Sequence, residues 1–291
     1  MGGATVTSEP PTTPSVMPEW ARDMTDVHVH SAPSVMPRHQ VDARAVAEQR
    51  AMGFTLSVLK AHEGFTAERA TLAGEGALGG VVLNSPVGGA NPDAVEVAAR
   101  MGGRIVWMPT VSAVNHIAHQ RASALKVHRK FELRAVEVVT DGRLAAGWHE
   151  VLEVVAHHDL LLASGHLAMA ETLLLFREAT RLGVRRLLVN HPQMAFLGWD
   201  DQAAQELRAL GASIELSILP DILDAHSMTS LRLSVSYPVE LQVFGGDFGH
   251  AHYPTAASAL PSWLVQLADR VGEEAAKNIM SINGRRLVLP A

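Results

Sequence analysis

The chain has 291 residues, of which 47% are hydrophobic and only 19% are charged. This composition supports a large buried core and excludes a disordered or coiled-coil protein. A formal net charge of −6 provides no basic field, so neither nucleic acid nor an anionic membrane is an expected partner. The chain has no cysteine but 15 histidines, which excludes disulfide scaffolds, zinc–thiolate sites, iron–sulfur clusters and cysteine nucleophiles.

The N-terminal end is rich in proline, serine and threonine. It predicts a flexible arm over residues 1–22, followed by one domain over residues 23–291. The arm lacks the basic residues and the apolar core of a secretory signal, and no run of ~18 apolar residues could span a bilayer. We therefore expect a soluble, cytoplasmic protein.

Eight short apolar runs of strand length follow in chain order. They are Thr25–His30, Phe54–Lys60, Gly80–Asn84, Arg104–Pro109, Leu160–Gly165, Arg186–Asn190, Ala212–Ile218 and Leu241–Gly246. Helix-length segments separate most of these runs, and several end at a glycine typical of a helix C-terminus. Continuous apolar strands alternating with helices indicate parallel strands buried on both faces. The pattern predicts the α/β class and a (β/α)8 TIM barrel. An open doubly wound sheet is the alternative, disfavoured because no G-x-G-x-x-G motif follows the first strand.

The connection between the fourth and fifth predicted strands, Thr110–Asp159, is longer than the others. It predicts a long insertion between strands 4 and 5, and such segments are often functional. A basic segment within it includes Arg121, Lys126, Arg129 and Lys130. These side chains could bind the phosphates of a ligand, or they could form an ordinary solvated surface. A hairpin with its turn at Asp141–Gly142 is predicted to follow.

Histidines stand at the carboxyl ends of several predicted strands. His28 and His30 end the first strand, His62 follows the second, His166 the fifth, His191 the sixth, and Asp247 and His250 the eighth. In a barrel these ends converge on the face where active sites are built. Side chains two apart in a strand share a side, which places Lys60 with His62. One such histidine is usually a structural residue, but five on four strands, with a carboxylate, predict a metal site.

The same pattern resembles the amidohydrolase superfamily of metal-dependent barrels over roughly residues 24–289. The resemblance implies that His28, His30 and Asp247 hold the more buried metal, and that His166 and His191 hold a second. These enzymes normally bridge the two metals with a carboxylated lysine or a glutamate after strand four. Here that strand ends V-W-M-P-T, so the bridge is missing. A histidine-rich shell without an anionic bridge suits iron at least as well as zinc.

A narrower resemblance concerns the segments LKAHEGFT, VVLNSPVGGANPDAVE, IVWMPTVSA, SGHLAMAE, VNHPQM and GGDFGH. They resemble the branch of the TIM-barrel non-haem diiron monooxygenases of platensimycin and platencin biosynthesis. This implies two iron ions, with zinc or manganese as alternatives, and O2 as co-substrate. The reaction would hydroxylate an unactivated C–H bond of a diterpenoid carried as its CoA thioester. An external reductase would supply electrons, the basic segment would bind the CoA phosphates, and a homo-oligomer is left open.

The resemblance implies six protein ligands, namely His28, His30, His62, His166, His191 and Asp247. Glu63 and His250 are further ligand candidates or supporting groups, and His116 and His119 lie in the loop beyond strand four. Glu63 could equally be a carboxylate at the rim of the barrel.

Two other side chains carry alternative roles. Lys60 is predicted to be catalytic by neutralising charge on reduced oxygen, or to be a barrel-interior lysine paired with Glu215. Asp26 either orients His28 or only marks the start of the strand.

A second function remains open. In a dinuclear metal-dependent hydrolase, an activated water would attack an amide, lactone or thioester, with Asp247 as general base. A metal-binding protein without activity is a third reading.

Overall fold

Strands and helices alternate along the residues that this computed structural model describes, which are 16–121, 133–223 and 229–290. The strands are β1 Met24–His30, β2 Phe54–Lys60, β3 Ala77–Leu78, β4 Gly80–Val82, β5 Ile105–Trp107, β6 Val139–Thr140, β7 Arg143–Leu144, β8 Leu161–Ala163, β9 Leu187–Val189, β10 Ser213–Leu216 and β11 Gln242–Phe244. The α-helices are α1 Asp42–Ala51, α2 Ala67–Ala73, α3 Pro92–Arg100, α4 Val114–Arg121, α5 Trp148–His157, α6 Met169–Arg181, α7 Asp201–Ala209, α8 Ile218–Leu223, α9 Ser230–Leu233, α10 Ala256–Val271, α11 Glu273–Lys277 and α12 Gly284–Val288. Short 3-10 helices span Ser85–Val87, Ala195–Leu197 and Val239–Leu241, and a π-helical segment spans Asn278–Asn283.

Parallel pairing runs through all the long-range strand contacts. One sheet has the order β1-β2-β3, and the other has the order β11-β10-β9-β8-β5-β4. β3 and β4 are two halves of one barrel strand, since β3 pairs with β2 and β4 pairs with β5. The chain bends between them at Gly79, where a Cβ would lie 2.1 Å from the carbonyl oxygen of Thr66.

The first and last barrel strands meet at a seam just beyond β11. The Asp247 N–H donates to the His28 carbonyl oxygen at 3.0 Å, and the His30 N–H donates to that of Phe248 at 2.9 Å. These bonds close the eight strand positions into a ring, which confirms the predicted α/β barrel. The doubly wound alternative is wrong.

Two layers of apolar side chains hold the barrel. The interior is filled by residues such as Val58, Trp107 and Leu161, and Val288 of α12 packs against them from the carboxyl end of the chain. The larger layer lies between the strands and the surrounding helices and includes Trp148 and Phe176. Burial of the strands on both faces explains why they are continuous apolar runs.

Several local predictions are confirmed. Gly53, Gly102, Gly183 and Gly211 follow helices with positive φ, as expected at a helix C-terminus. The predicted hairpin is β6–β7, in which Thr140 faces Arg143 across the turn.

Other parts of the chain bear on the predicted arm and on membrane insertion. Met17 and Trp20 of the predicted arm pack against the main core, while residues 1–15 lie outside the described residues.

Within the described part of the chain, no helix is long and apolar enough to cross a membrane.

Candidate metal centre

A cavity opens at the carboxyl ends of the barrel strands. It is lined by His28, His30, Arg38, Lys60, His62, His116, His166, His191, Met194, Phe196, Leu219, Pro220, Asp247 and His250. All five histidines predicted from strand ends are therefore brought to one place, together with the predicted aspartate and lysine.

His28, His30 and Asp247 form the tightest group in this cavity. Oδ1 of Asp247 lies 3.1 Å from Nε2 of His28 and 3.2 Å from Nε2 of His30. The two Nε2 atoms are 3.2 Å apart. Three ligand-type atoms thus face one point, as in a metal site.

The other nitrogen of each imidazole is fixed from behind. Nδ1 of His28 lies 2.9 Å from Oε1 of Glu215, and Nδ1 of His30 lies 3.0 Å from the carbonyl oxygen of Lys60. A proton on each Nδ1 would leave both Nε2 atoms free to bind a metal. Glu215 is itself held by Ser217 Oγ at 2.6 Å and by Asn190 Nδ2 at 2.7 Å.

The charge states of this group suit metal binding. Burial raises the pKa of Asp247, but the neighbouring His28 and His30 outweigh it and hold that pKa well below its usual range. Burial also lowers the pKa of His30 well below its ordinary value. Burial raises the pKa of Glu215, but His28 and its hydrogen bond bring it down to about 2. At neutral pH the carboxylates are ionised and His30 is neutral, which are the forms that bind metals.

The backbone at the seam places these side chains. Oδ1 of Asp26 accepts from the N–H of His28 at 2.9 Å and from that of Gly246 at 3.0 Å. Asp26 therefore connects His28 to the segment that carries Asp247. This fits the predicted role in which Asp26 orients His28. Asp247 has a φ of 57°, which turns its side chain out of the line of β11.

A second group of imidazoles lies beside the first. The ring centroid of His166 lies 5.0 Å from that of His191 and 6.0 Å from that of His62. The ring centroids of His62 and His30 are 5.0 Å apart. His116, on α4, stacks on His166 at 4.8 Å, with their Nδ1 atoms 2.8 Å apart. The loop beyond strand four thus contributes a histidine to the cluster.

Polar groups at strand ends hold this second group. Thr110 Oγ1 lies 2.9 Å from Nδ1 of His62, and Asn84 Nδ2 donates to Thr110 Oγ1 and to the His62 carbonyl oxygen. Nδ1 of His191 is buried and meets no hydrogen-bond partner within the described part of the chain. Burial lowers the pKa of His116 and of His191 to about 4. These rings are therefore neutral at pH 7 and can act as ligands.

Lys60 is buried at the edge of the first group. Its Nζ lies 3.1 Å from Nε2 of His28 and 5.7 Å from the centroid of Trp107. Burial lowers its pKa to about 8. Its direct contact is therefore with His28, and Glu215 acts on it only as a nearby charge.

Glu63 and His250 occupy different positions from the main cluster. Oε1 of Glu63 accepts hydrogen bonds from Ser34 Oγ and from the N–H of Val35, both at 2.7 Å, and Glu63 does not line the cavity. His250 does line it, but its Nδ1 accepts from the N–H of His252 at 3.3 Å. The structure does not bring the Glu63 carboxylate to the histidines.

The predicted phosphate-binding segment falls mainly outside the described residues. Lys126, Arg129 and Lys130 lie in the span 122–132, and only the backbone of Arg121, the last residue of α4, is described. His119 of the same helix bonds the Asn115 carbonyl oxygen at 2.9 Å and does not line the cavity.

Three positions of the candidate site are not predicted from the sequence. The predicted site pairs Glu215 only with Lys60 and includes neither Asn190 nor Arg38. Two sequence signals point to Glu215 and Asn190. Glu215 is a glutamate inside an apolar strand, and Asn190 is a polar residue just before His191. Arg38 lies in an irregular loop that carries no such signal.

The residues present fit a metal ion. Ligands bound at 2.0–2.1 Å around a tetrahedral metal lie ~3.3 Å apart, close to the 3.1–3.2 Å separations among His28, His30 and Asp247. Mutual hydrogen bonding cannot explain this triangle fully, because each neutral imidazole has only one N–H, and that of His28 is aimed at Glu215. The second group has the buried, partnerless Nδ1 of His191.

Comparisons with known proteins agree with this fold. A family of unknown function, DUF6282, matches residues 23–215, more than half of the chain. No curated protein matches the chain in sequence.

Solved structures match nearly all of the chain at low identity. An amidohydrolase from Pseudomonas aeruginosa is 13% identical with a TM-score of 0.62, covering 92% of this chain and 96% of its own. The 2,6-dihydroxybenzoate decarboxylase from Rhizobium is 12% identical with a TM-score of 0.54, covering 92% and 98%. The 4-oxalomesaconate hydratase from Rhodopseudomonas palustris is 14% identical with a TM-score of 0.52, covering 91% and 95%. These similarities establish an amidohydrolase-like barrel fold, and the resemblance to the diiron monooxygenase branch stays a prediction.

Proposed function

Because the chain belongs to the family of unknown function DUF6282 and folds as an amidohydrolase-like barrel, we propose that it is a metal-dependent hydrolase. Its substrate would carry an amide, lactone or thioester carbonyl. His28, His30 and Asp247 would hold one metal ion, and His62, His166 and His191 would supply ligands for a second. The observation that carries this proposal is the triangle of Nε2, Nε2 and Oδ1 atoms at 3.1–3.2 Å.

The side chains around the metal positions suit hydrolysis. A bound divalent metal supplies a water activated by a lowered pKa and polarises the carbonyl under attack. The ionised carboxylate of Asp247 would accept the proton of the attacking water. Lys60, only 1% exposed, would provide positive charge beside the developing oxyanion. Phe196 and Leu219 would exclude bulk water from the reacting groups.

The test begins with metal content. We expect at least one equivalent of zinc, iron or manganese in protein purified without added metal, and loss of that metal in His30→Ala and Asp247→Asn. His149→Ala is the matched control, because His149 is exposed on α5 and does not line the cavity. A full metal content in His30→Ala, or none in the unmodified protein, would overturn the proposed site.

Hydrolysis itself is tested with a panel of amides, lactones and thioesters under anaerobic conditions. Metal-loaded protein should hydrolyse at least one class, and chelated protein and Asp247→Asn should not.

The diiron monooxygenase is a second candidate function, because seven histidines line the cavity and each could be a metal ligand. They are His28, His30, His62, His116, His166, His191 and His250. Of the described residues, Asp247 is the carboxylate that lines the cavity, and the segment from β5 to Thr110 contains no carboxylate. Iron accepts such a histidine-rich set. This function would use two iron ions, O2, an external reductase and a CoA-linked diterpenoid.

The two candidates separate experimentally. The oxygenase requires close to two irons per chain and O2 consumption that depends on both reductant and substrate. Zinc at full occupancy, with carbonyl hydrolysis in the absence of O2, would exclude it.

A further inference from the structure

Arg38 brings a second kind of binding group to the cavity. It lines the cavity together with His30, Asp247 and His250. Its Nη2 is buried and has no hydrogen-bond partner among the residues that the structure describes. A buried guanidinium N–H without a partner costs free energy, so an acceptor bound in the cavity would remove that cost.

The loop that carries Arg38 is fixed to the last barrel strand position. Arg38 forms an isolated antiparallel bridge with His250. On either side of it, the His39 N–H donates to the Gly249 carbonyl oxygen at 2.9 Å, and the Ala251 N–H donates to that of Pro37 at 3.0 Å. Backbone pairing therefore fixes the main chain at Arg38, so that the side chain does not start from a free loop.

The guanidinium is also oriented by its other end. Nε of Arg38 donates to Ser34 Oγ at 3.3 Å, and Ser34 Oγ donates to Oε1 of Glu63 at 2.7 Å. Glu63 and Asp247 are the nearby carboxylates whose charges act on Arg38, yet neither forms an ion pair with it among the described residues. Glu63 thus supports the arginine through Ser34 and leaves Nη2 available.

The composition of the cavity lining favours an anion with an apolar body. Its ionised side chains are Arg38, Lys60 and Asp247, and a metal ion would add further positive charge. One wall is apolar and consists of Met194, Phe196, Leu219 and Pro220.

From these observations we propose that Arg38 binds a carboxylate of the substrate, so that the substrate is an organic acid with an apolar body. The carboxylate is paired with Nη2 of Arg38, and the apolar part lies against Phe196 and Leu219. This places the reacting carbonyl between Arg38 and the metal ligands. The proposal rests on the proposed metal-dependent function, and it names the class of substrate.

The test measures binding to the full-length, metal-loaded protein by titration calorimetry. The probes are benzoate, phenylacetate and hexanoate, each compared with its primary amide. We expect at least one carboxylate to bind on the order of tenfold or more tightly than its amide, because a charge-assisted hydrogen bond is about twice as strong as a neutral one. Arg38→Gln should abolish that preference, and Arg38→Lys should retain part of it.

Arg50→Gln is the matched control, because Arg50 is exposed on α1 and pairs with Glu75. It should bind the carboxylates as the unmodified protein does. Metal content and the thermal midpoint are measured for every variant, so that lost binding is not confused with lost folding.

Two outcomes overturn the proposal. One is an Arg38→Gln protein that keeps its metal and the full carboxylate preference, and the other is an unmodified, metal-loaded protein that prefers none of the carboxylates. Failure of the proposed function gives a different result, in which no metal binds. The metal-free protein is then titrated as well, and the carboxylate site stands or falls on whether Arg38 controls that binding.

Discussion

At the scale of single residues, the candidate site depends on side chains that never touch the metal positions. Glu215 is completely buried and lies 2.9 Å from Nδ1 of His28. It fixes the ring so that Nε2 faces His30 and Asp247. Supporting carboxylates of this kind raise the affinity of a histidine for metal.

Glu215→Gln should therefore weaken metal binding by about 10–100-fold while the fold persists. The amide keeps the size of the side chain but removes the negative charge that holds the His28 ring. Competition with a chelating dye measures the dissociation constant. Glu63→Gln is the comparison, because Glu63 lies outside the cavity lining; a loss of metal there would instead make Glu63 a ligand.

Residue-level reasoning from sequence reached the ligand candidates but not the side chains that support them. His28, His30 and His62 could be predicted because they stand at the ends of apolar strands, and such ends converge in a barrel. Glu215 could not be assigned to His28, because strand periodicity says which side a residue faces and not which residue faces it across the barrel. The place of Arg38 in the cavity could not be predicted from the sequence, since it depends on pairing between two loops.

At the scale of elements, the seam between β1 and the end of β11 is the critical joint. Asp26 is 1% exposed, and its Oδ1 binds the N–H groups of His28 and Gly246. Its other oxygen accepts from Gln49 of α1 at 3.0 Å. One side chain thus connects the first strand, the last strand and the first helix.

Asp26→Ala should lower the free energy of unfolding by about 2–4 kcal/mol, because two buried N–H groups lose their acceptor. Urea unfolding gives the free energy, and hydrogen exchange at the His28 and Gly246 amides should accelerate. Asp201→Ala removes an exposed acid from the first turn of α7 and should change stability by less than ~1 kcal/mol. Equal effects of the two substitutions would contradict the role of Asp26.

Element positions were the easiest feature to predict, and their irregularities the hardest. Apolar runs predicted the barrel strands, and the positive-φ glycines Gly53, Gly102 and Gly183 stand two residues after the ends of α1, α3 and α6. The half-strand β3 was missed, because Gly79 interrupts the apolar run and the pairing changes partner there. In β1 the register shifts between Asp26 and Val29, and simple alternation does not foresee such a shift.

At the scale of the whole molecule, the two ends of the barrel differ in chemistry. The cavity at the carboxyl ends holds the imidazoles, and the opposite end holds arginines. Asp159 binds Arg185 and Arg186 there, with Nη2 to carboxylate oxygen distances of 3.0 Å and 3.2 Å. Arg285 and Arg286 of α12 line the same opening.

Asp159→Asn should therefore destabilise the protein by about 1–2 kcal/mol. The φ of Asp159 is 48°, and asparagine tolerates this conformation, so the change isolates the loss of charge beside the arginines. Glu75→Gln removes the partner of Arg50 in a fully solvated pair and should cost less than ~0.5 kcal/mol. Thermal unfolding of both variants decides whether Arg185 and Arg186 need the carboxylate.

Metal removal is the second test at this scale. A ligand that binds only the folded state stabilises it, by about 2.7 kcal/mol at one hundred times the dissociation constant. Chelation should therefore lower the thermal midpoint of the unmodified protein and leave that of His30→Ala unchanged. An equal fall in both proteins would show that the chelator acts elsewhere.

The ring of strands closes between residues that are about as far apart in the chain as any two in the barrel. Joining His28 to Asp247 encloses more than two hundred residues, so the loss of chain entropy makes this a demanding contact to form. The same two residues are metal ligands in the proposed site. A partly synthesised chain therefore cannot assemble the first metal position until its eighth strand is in place. We expect metal uptake to be the last event of maturation and to distinguish finished molecules from incomplete ones.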